Sequence, residues 1–332
     1  MMRATDLTLG EKEMIQGAGS CLDVETRLGI SEFSQLLGVS IPDMTADVCA
    51  LLDSYDFRYV PLNQSQRESV ILKIQKKLNS KVFTPVGPAR YDVWNTTWEK
   101  ISQQFLNNTW SIRSLTPDFL DAHPVLRLNN EFIHPLDVAF EANFFSVLRH
   151  WLYRTCFEQV PTLYEFGCGS GFNLWALADM YPDKTLYGLD WAESSVALIN
   201  KIGEVQGLKI HGRHFDFFHP DPHLHLAPGS GVLTVCALEQ VGEAFLPFIQ
   251  YVLTHDPQLC VHIEPIYELY DERDPLDSLA MTYHADRGYL RGFLPYLRQL
   301  EVDSQIQIVQ VKRVGFGSLY HEGYTIVIWK PL

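Results

Sequence analysis

The 332-residue chain has no cationic surplus. Lys and Arg number 26 against 40 Asp and Glu, a formal net charge of −14. Binding a nucleic-acid backbone needs clustered Lys and Arg to release its counterions, so a nucleic-acid partner is disfavoured. Paired cysteines are missing too. Cys21, Cys49, Cys156, Cys168, Cys236 and Cys260 contain no CxxC and fit no zinc spacing, which points to free thiols in a reducing compartment. No run of about 18 strongly apolar residues occurs, so no membrane span is expected. The first residues carry Arg3, Asp6, Glu11 and Lys12 and no apolar core, unlike a signal peptide. A cytoplasmic protein is the expectation. Neither an internal repeat nor a low-complexity tract appears.

What is present is a core-sized hydrophobic fraction, 46%, and 12% aromatics with seven Trp, enough for a core and for pocket walls. The first ~135 residues read as helical. Ser65 to Leu78 places Val70, Ile71, Ile74 and Leu78 on one helical face. Asp43 to Leu52 and Trp94 to Phe105 carry weaker helical patterns, and Pro85, Gly87 and Pro88 divide the region. Thr116 to Pro135 is turn-rich, and a further helix is expected over Ala139 to Phe157.

From about residue 160 short apolar runs alternate with helical segments, the pattern of a parallel sheet covered on both faces. Strands are expected at 162–166, 184–189, 208–214, 231–236 and 258–263, with helices at 171–181, 192–206, 240–254 and 276–300. Two more apolar runs, Ile306 to Val314 and Tyr324 to Trp329, close the chain.

The most informative stretch is Tyr164 to Leu174, YEFGCGSGFNL, with LYGLDWAESS from Leu186 to Ser195 following it. A strand ends in an acid, Glu165. A loop follows with Gly167, Gly169 and Gly171, which lack a Cβ and let backbone approach a ligand. A second strand then ends in Asp190. Two acids and a glycine loop across adjacent strand ends hold a nucleoside cofactor. Asp190 with Glu193 also reads as a helix cap and capping box, so that role stays open. An NAD-dependent dehydrogenase is the natural rival, but its fingerprint is GxGxxG, one residue longer.

On these motifs the chain resembles the class I S-adenosylmethionine (SAM)-dependent methyltransferases. The resemblance covers roughly residues 140–332. It implies an α/β fold, a Rossmann-like seven-stranded and mostly parallel sheet, here with a helical N-terminal region. It makes 136–332 the catalytic domain, while residues 1–135 match no known family and read as a helical lid, dimerisation or substrate-recognition region. It implies SAM as cofactor. Glu165 would contact its methionine part, Asp190 its ribose and Asp216, after the third strand, its adenine amino group. Trp191 and either Phe215 or Phe217 would pack on the adenine.

In that fold the methyl acceptor lies over the ends of the fourth and fifth strands. A hydroxyl or protonated amine acceptor needs a base for its proton. Glu239, His262, Glu264, His284 and His321 are the candidates, unranked. Tyr283, Arg287 and Tyr320 are candidate acceptor-binding groups, and Arg90, Tyr91, Trp94, Trp98, Arg113 and Arg127 suit an acidic or aromatic substrate. Glu264, His284, His321 and Glu322 form no compact metal motif, so no metal is expected. The expected function is methyl transfer to oxygen or nitrogen of a small polar molecule, with natural-product tailoring as its setting. Protein or peptide methylation is the alternative, followed by a non-enzymatic module that only binds SAM.

Overall fold

The computed structural model describes residues 24–332 apart from 109, 118–119 and 121–122. Cys21 and the N-terminal residues weighed as a leader lie outside the described residues. The elements, in order, begin with β1 (Thr26–Arg27), α1 (Ile30–Leu37), α2 (Ala46–Ser54), β2 (Arg58–Pro61), α3 (Gln64–Asn79) and α4 (Tyr91–Asn107). Next are β3 (Leu126–Leu128), β4 (Glu131–Pro135), α5 (Phe140–Phe157), β5 (Thr162–Phe166), α6 (Phe172–Met180), β6 (Thr185–Asp190), α7 (Glu193–Gln206) and β7 (Ile210–His214). The chain closes with β8 (Gly231–Val235), α8 (Leu246–His255), β9 (Leu259–Glu264), α9 (Pro275–Arg287), α10 (Phe293–Val302), β10 (Ile306–Arg313), β11 (Phe316–Gly317) and β12 (Thr325–Pro331).

The large sheet has seven strands in the order β10-β12-β9-β8-β5-β6-β7. Five are mutually parallel from β9 to β7. β12 runs antiparallel to β9, and β10 antiparallel to β12. This is the fold class expected from the sequence. The chain leaves β5 in one direction through β6 to β7, then crosses to build β8 and β9 on its other side. The crevice between β5 and β8 is therefore a topological switch point, where open α/β sheets bind ligands. Leu163, Phe166, Leu186, Leu189, Val232, Leu233, Val261 and Ile263 are fully buried, as central strands covered on both faces require.

Two helical expectations shift. The 276–300 run divides into α9 and α10 because Gly288 and Gly292 adopt positive φ, 65° and 83°, which ends one helix and re-aims the next. α9 starts at Asp274, whose side chain accepts from the Leu276 and Asp277 amides at 2.8 and 3.0 Å, with Pro275 at the first helical position. The helix expected over 240–254 begins only at Leu246. Gly242 (φ 65°) first turns the chain so closely against α9 that an added Cβ would lie 2.6 Å from the Gly288 carbonyl oxygen.

The N-terminal helices are present. α3 buries Val70, Ile74 and Leu78 with Ile71 beside them. The turn-rich reading of Thr116 to Pro135 needs correction, since it contains β3 and β4. With β1, β2 and β11 they form a second, five-stranded sheet in the order β1-β2-β4-β3-β11, antiparallel throughout. β11 comes from the segment between the last two strands of the large sheet. Its Phe316 stacks on Phe144 of α5, ring centroids 3.8 Å apart, so the N-terminal region and the half built on the large sheet share one continuous core.

Candidate active site

The glycine loop sits at the switch point. Gly167, Gly169 and Gly171 have φ of 71°, 53° and 76°, a region that a Cβ disfavours. Close approach compounds this. A Cβ on Gly167 would lie 2.4 Å from Ala237, just beyond β8, and one on Gly169 would lie 2.7 Å from the Trp98 indole of α4. Trp94 stacks on Trp98 at 5.5 Å. Asn95, between them in sequence, accepts from the Ser194 amide at 3.0 Å. α4 therefore lies directly over the glycine loop and the start of α7. Trp94 and Trp98 were noted in the sequence only as aromatic members of a recognition region; their place on the loop follows from helical spacing that points Trp98, Ile101 and Phe105 inward.

Glu165 is 1% exposed. Its Oε1 accepts from Asn173 Nδ2 at 2.8 Å, while Oε2 is buried with no partner. Burial pushes its carboxyl up to about 8. Asn173 and the buried Arg149, whose guanidinium lies 3.8 Å over the Phe172 ring, were missed by sequence reasoning because neither belongs to a local motif.

Asp190 ends β6, 5% exposed. Oδ2 accepts from the Gly169 amide and Oδ1 from the Ala192 amide, each at 2.9 Å. Burial raises its carboxyl to about 6 against these bonds. The capping box with Glu193 is absent: α7 is capped at Ala192, and Asp190 instead ties the strand end to the glycine loop. The Ser195 side chain and the Trp191 amide bond it as well, so its carboxylate is held on several sides. Asp216 caps a turn at the Phe218 amide (2.8 Å) and meets His219 Nδ1 at 3.1 Å. Trp191 packs edge-on against Tyr91 and beside Phe218. Phe217 lies against Phe166 and Phe248, its edge next to Gly167, whereas Phe215 belongs to the core.

The five base candidates separate into two groups. His262 is fully buried in a fixed ladder. The Trp329 indole donates to its Nε2 at 2.9 Å, so Nδ1 carries the proton and meets Thr234 Oγ1 at 2.8 Å. Thr234 in turn bonds Glu264. Glu264 accepts from the amides of Ala237, Leu238 and Glu239 at 3.0, 3.1 and 3.2 Å. Burial lowers His262 to about 3 and raises Glu264 to about 7. Every polar atom of the His262 ring is committed to the ladder, and Glu264 clamps the turn after β8. Both shape the site's floor.

Glu239, His284 and His321 face the other way. Glu239 sits on the turn Glu264 clamps, bonded to its neighbour Gln240. Burial, with Glu264 adding repulsion, lifts it to about 8. His284 Nε2 meets His321 Nδ1 at 2.9 Å, and His284 Nδ1 is buried with no partner. Burial lowers His284 to about 3 and His321 well below its ordinary value, so both rings are neutral. Tyr283 stacks on Tyr320 at 4.9 Å and stands edge-on to His321 and Tyr289. The Arg287 guanidinium lies 5.1 Å over the Tyr289 ring and donates to the Thr84 carbonyl. The three acceptor-binding candidates and three of the five bases thus form one aromatic, polar cluster.

Other residues named in the sequence fall elsewhere. Glu322 joins Asp277 around Arg313, and its Oε1 accepts from the Asn130 amide at 2.6 Å. Arg127 is fully buried, donating to the Leu276 and Leu319 carbonyls. Among the described residues no three His, Cys, Asp or Glu side chains are placed to hold a metal. No described helix is long and apolar enough to cross a membrane. Glu141 of α5, missed in the sequence, binds His123 at 2.5 Å and accepts from Tyr324 at 3.0 Å.

No family model and no curated protein matches the chain. Solved structures with similar architecture include an O-methyltransferase from neocarzinostatin biosynthesis in complex with SAM and 2-hydroxy-5-methyl naphthoic acid (16% identity, 58% of each chain covered, TM-score 0.39). The pyocyanin biosynthetic protein PhzM is 14% identical over 59% of this chain and 57% of that one, with a TM-score of 0.43. A SAM-dependent methyltransferase from Aquifex aeolicus is 17% identical over 55% and 89%, with a TM-score of 0.39. The chain spans less than two thirds of the first two. With every TM-score below 0.5, the fold assignment rests on this chain's own strand order: five parallel strands from β9 to β7, an antiparallel β12, and a glycine loop at the switch point make it the class I SAM-dependent methyltransferase fold.

Proposed function

We propose that the protein is a SAM-dependent methyltransferase acting on oxygen or nitrogen of a small polar molecule. The observation that carries the cofactor half is Glu165 Oε2, a buried carboxylate oxygen with no protein donor, at the head of the glycine loop. A buried polar atom without a partner costs about 1–3 kcal/mol, and a cationic ammonium at that place removes the deficit. The residues present fit SAM in that respect. Glu165 would hold the ammonium, Asp190 at the end of β6 the ribose, and Trp191, Asp216 and Phe217 the adenine.

When bound, SAM supplies a methyl group already activated by its sulfonium. The chain's task is to hold the acceptor in line with it and take a proton. We assign proton acceptance to neutral His321. In the tautomer whose Nδ1–H donates to His284 Nε2, His321 Nε2 is left to accept the acceptor's proton. Trp98 and Trp94 over the glycine loop exclude water from the cofactor side. The acceptor lies in the Tyr283–Tyr320 cluster, whose hydroxyls and Arg287 orient it. The test is transfer of a labelled methyl from SAM to small-molecule fractions of a lysate. Label appearing only in protein supports protein or peptide methylation instead.

A further inference from the structure

We propose that Arg90 and Arg287 form an anion subsite that takes the carboxylate of an aromatic acceptor. The inference deepens the methyltransferase reading and depends on it for the acceptor's identity, though not for the subsite. Two backbone hydrogen bonds bring the Arg90 turn to the end of α9. The Val86 amide donates to the Arg287 carbonyl at 2.8 Å, and the Gly87 amide donates to the Gln240 carbonyl at 3.1 Å. The turn that carries Arg90 is thereby strapped between the end of α9 and the turn bearing Glu239.

Both guanidiniums are half-buried, and each holds a buried Nε–H with no partner. Neither forms an ion pair with a described residue. Each repels the other. Two partly desolvated like charges with unsatisfied donors favour an anion beside them. Glu239 is the nearby acid, and burial and Glu264 oppose the ionisation that the two arginines favour in it. A guanidinium fork matches a carboxylate in bidentate fashion. The walls add the second half of the recognition: Trp94 lies 5.3 Å beneath Arg90, and Tyr289 5.1 Å beneath Arg287. Flat rings lining a cationic floor suit a planar body bearing one anionic group.

The experiment is calorimetric titration of the full chain with hydroxybenzoates and hydroxycinnamates, and with the matched amides, with and without the demethylated cofactor. The acids are expected to bind at least tenfold more tightly than the amides. R90Q and R287Q should each bring the acids down to the level of the amides, while SAM affinity in both variants stays within twofold of the unsubstituted protein. R90K should recover part of the preference. Equal binding of acids and amides, no binding by the whole acid series, or a preference that survives both substitutions overturns the subsite. Loss of SAM binding in the unsubstituted protein would instead sink the cofactor reading, and the acid–amide comparison without cofactor remains readable in that case.

Discussion

Glu165 gives one carboxylate oxygen to Asn173 at 2.8 Å and keeps the other buried against no protein donor. Burial moves its carboxyl from 4.5 to about 8. The folded chain therefore holds a proton that the unfolded chain releases. That contribution to stability is complete below pH 4.5 and is lost as pH rises through 8. E165Q removes it. The Tm of E165Q relative to the unsubstituted protein should rise steadily between pH 5 and pH 8 when ligand is absent. A difference that stays constant over this window contradicts the buried, protonated state.

SAM binding is coupled to the same proton. An ammonium beside Glu165 favours its ionised form, so binding at pH 7 should release a proton. Titrations in two buffers of different ionisation enthalpy measure this directly. The release should disappear in E165Q, along with at least a tenfold loss in affinity.

Gly169 stands at φ 53° with the Trp98 indole where its Cβ would be. G169A strains the backbone and pushes α4 off the loop, at a cost of about 1–3 kcal/mol. Thermal unfolding should show that loss, and SAM affinity should fall with it. W98A should restore part of the stability in the double variant, because it removes the clash.

Asp190 joins the β6 end to the Gly169 and Ala192 amides. D190A orphans both amides and removes the proposed ribose acceptor. Lower stability together with a SAM affinity reduced at least a hundredfold is expected. If stability falls and SAM affinity holds, the residue is structural alone.

His262 predicts the opposite pattern. H262F strands the Trp329 indole and the Thr234 hydroxyl, each costing about 1–3 kcal/mol, so Tm falls near neutral pH. The ring stays neutral in the fold down to about pH 3. The unfolded chain protonates it near 6.5, so stability is lost as pH drops below 6.5 in the unsubstituted protein and not in the variant. Folded H262F should keep its turnover.

Much of the large-sheet half was legible because its signals are local. The TLYEF strand, the glycines at 167, 169 and 171 and the acid at 190 occupy one stretch of chain, and their spacing fixes a strand, a loop and a second strand end. The acceptor side was less so. His262 and His321 look alike in sequence, and only the pairing of β9 with β12 shows that one faces Trp329 and the core while the other faces Tyr283. The strands of the small sheet were hidden for a related reason. β3 and β11 have two or three residues each and exist because Leu126–Leu128 meets Phe316–Gly317, a long-range pairing with no periodicity to read. Trp98 showed its helix but not its target, since the loop it covers lies some 70 residues further along the chain.

The most direct test is calorimetric titration of the full chain with SAM, the demethylated cofactor and NAD, alongside E165Q. SAM and its demethylated product should bind at one site, NAD should not bind, and E165Q should weaken both by at least tenfold. Binding of NAD without SAM, or SAM affinity unchanged in E165Q, contradicts the cofactor reading.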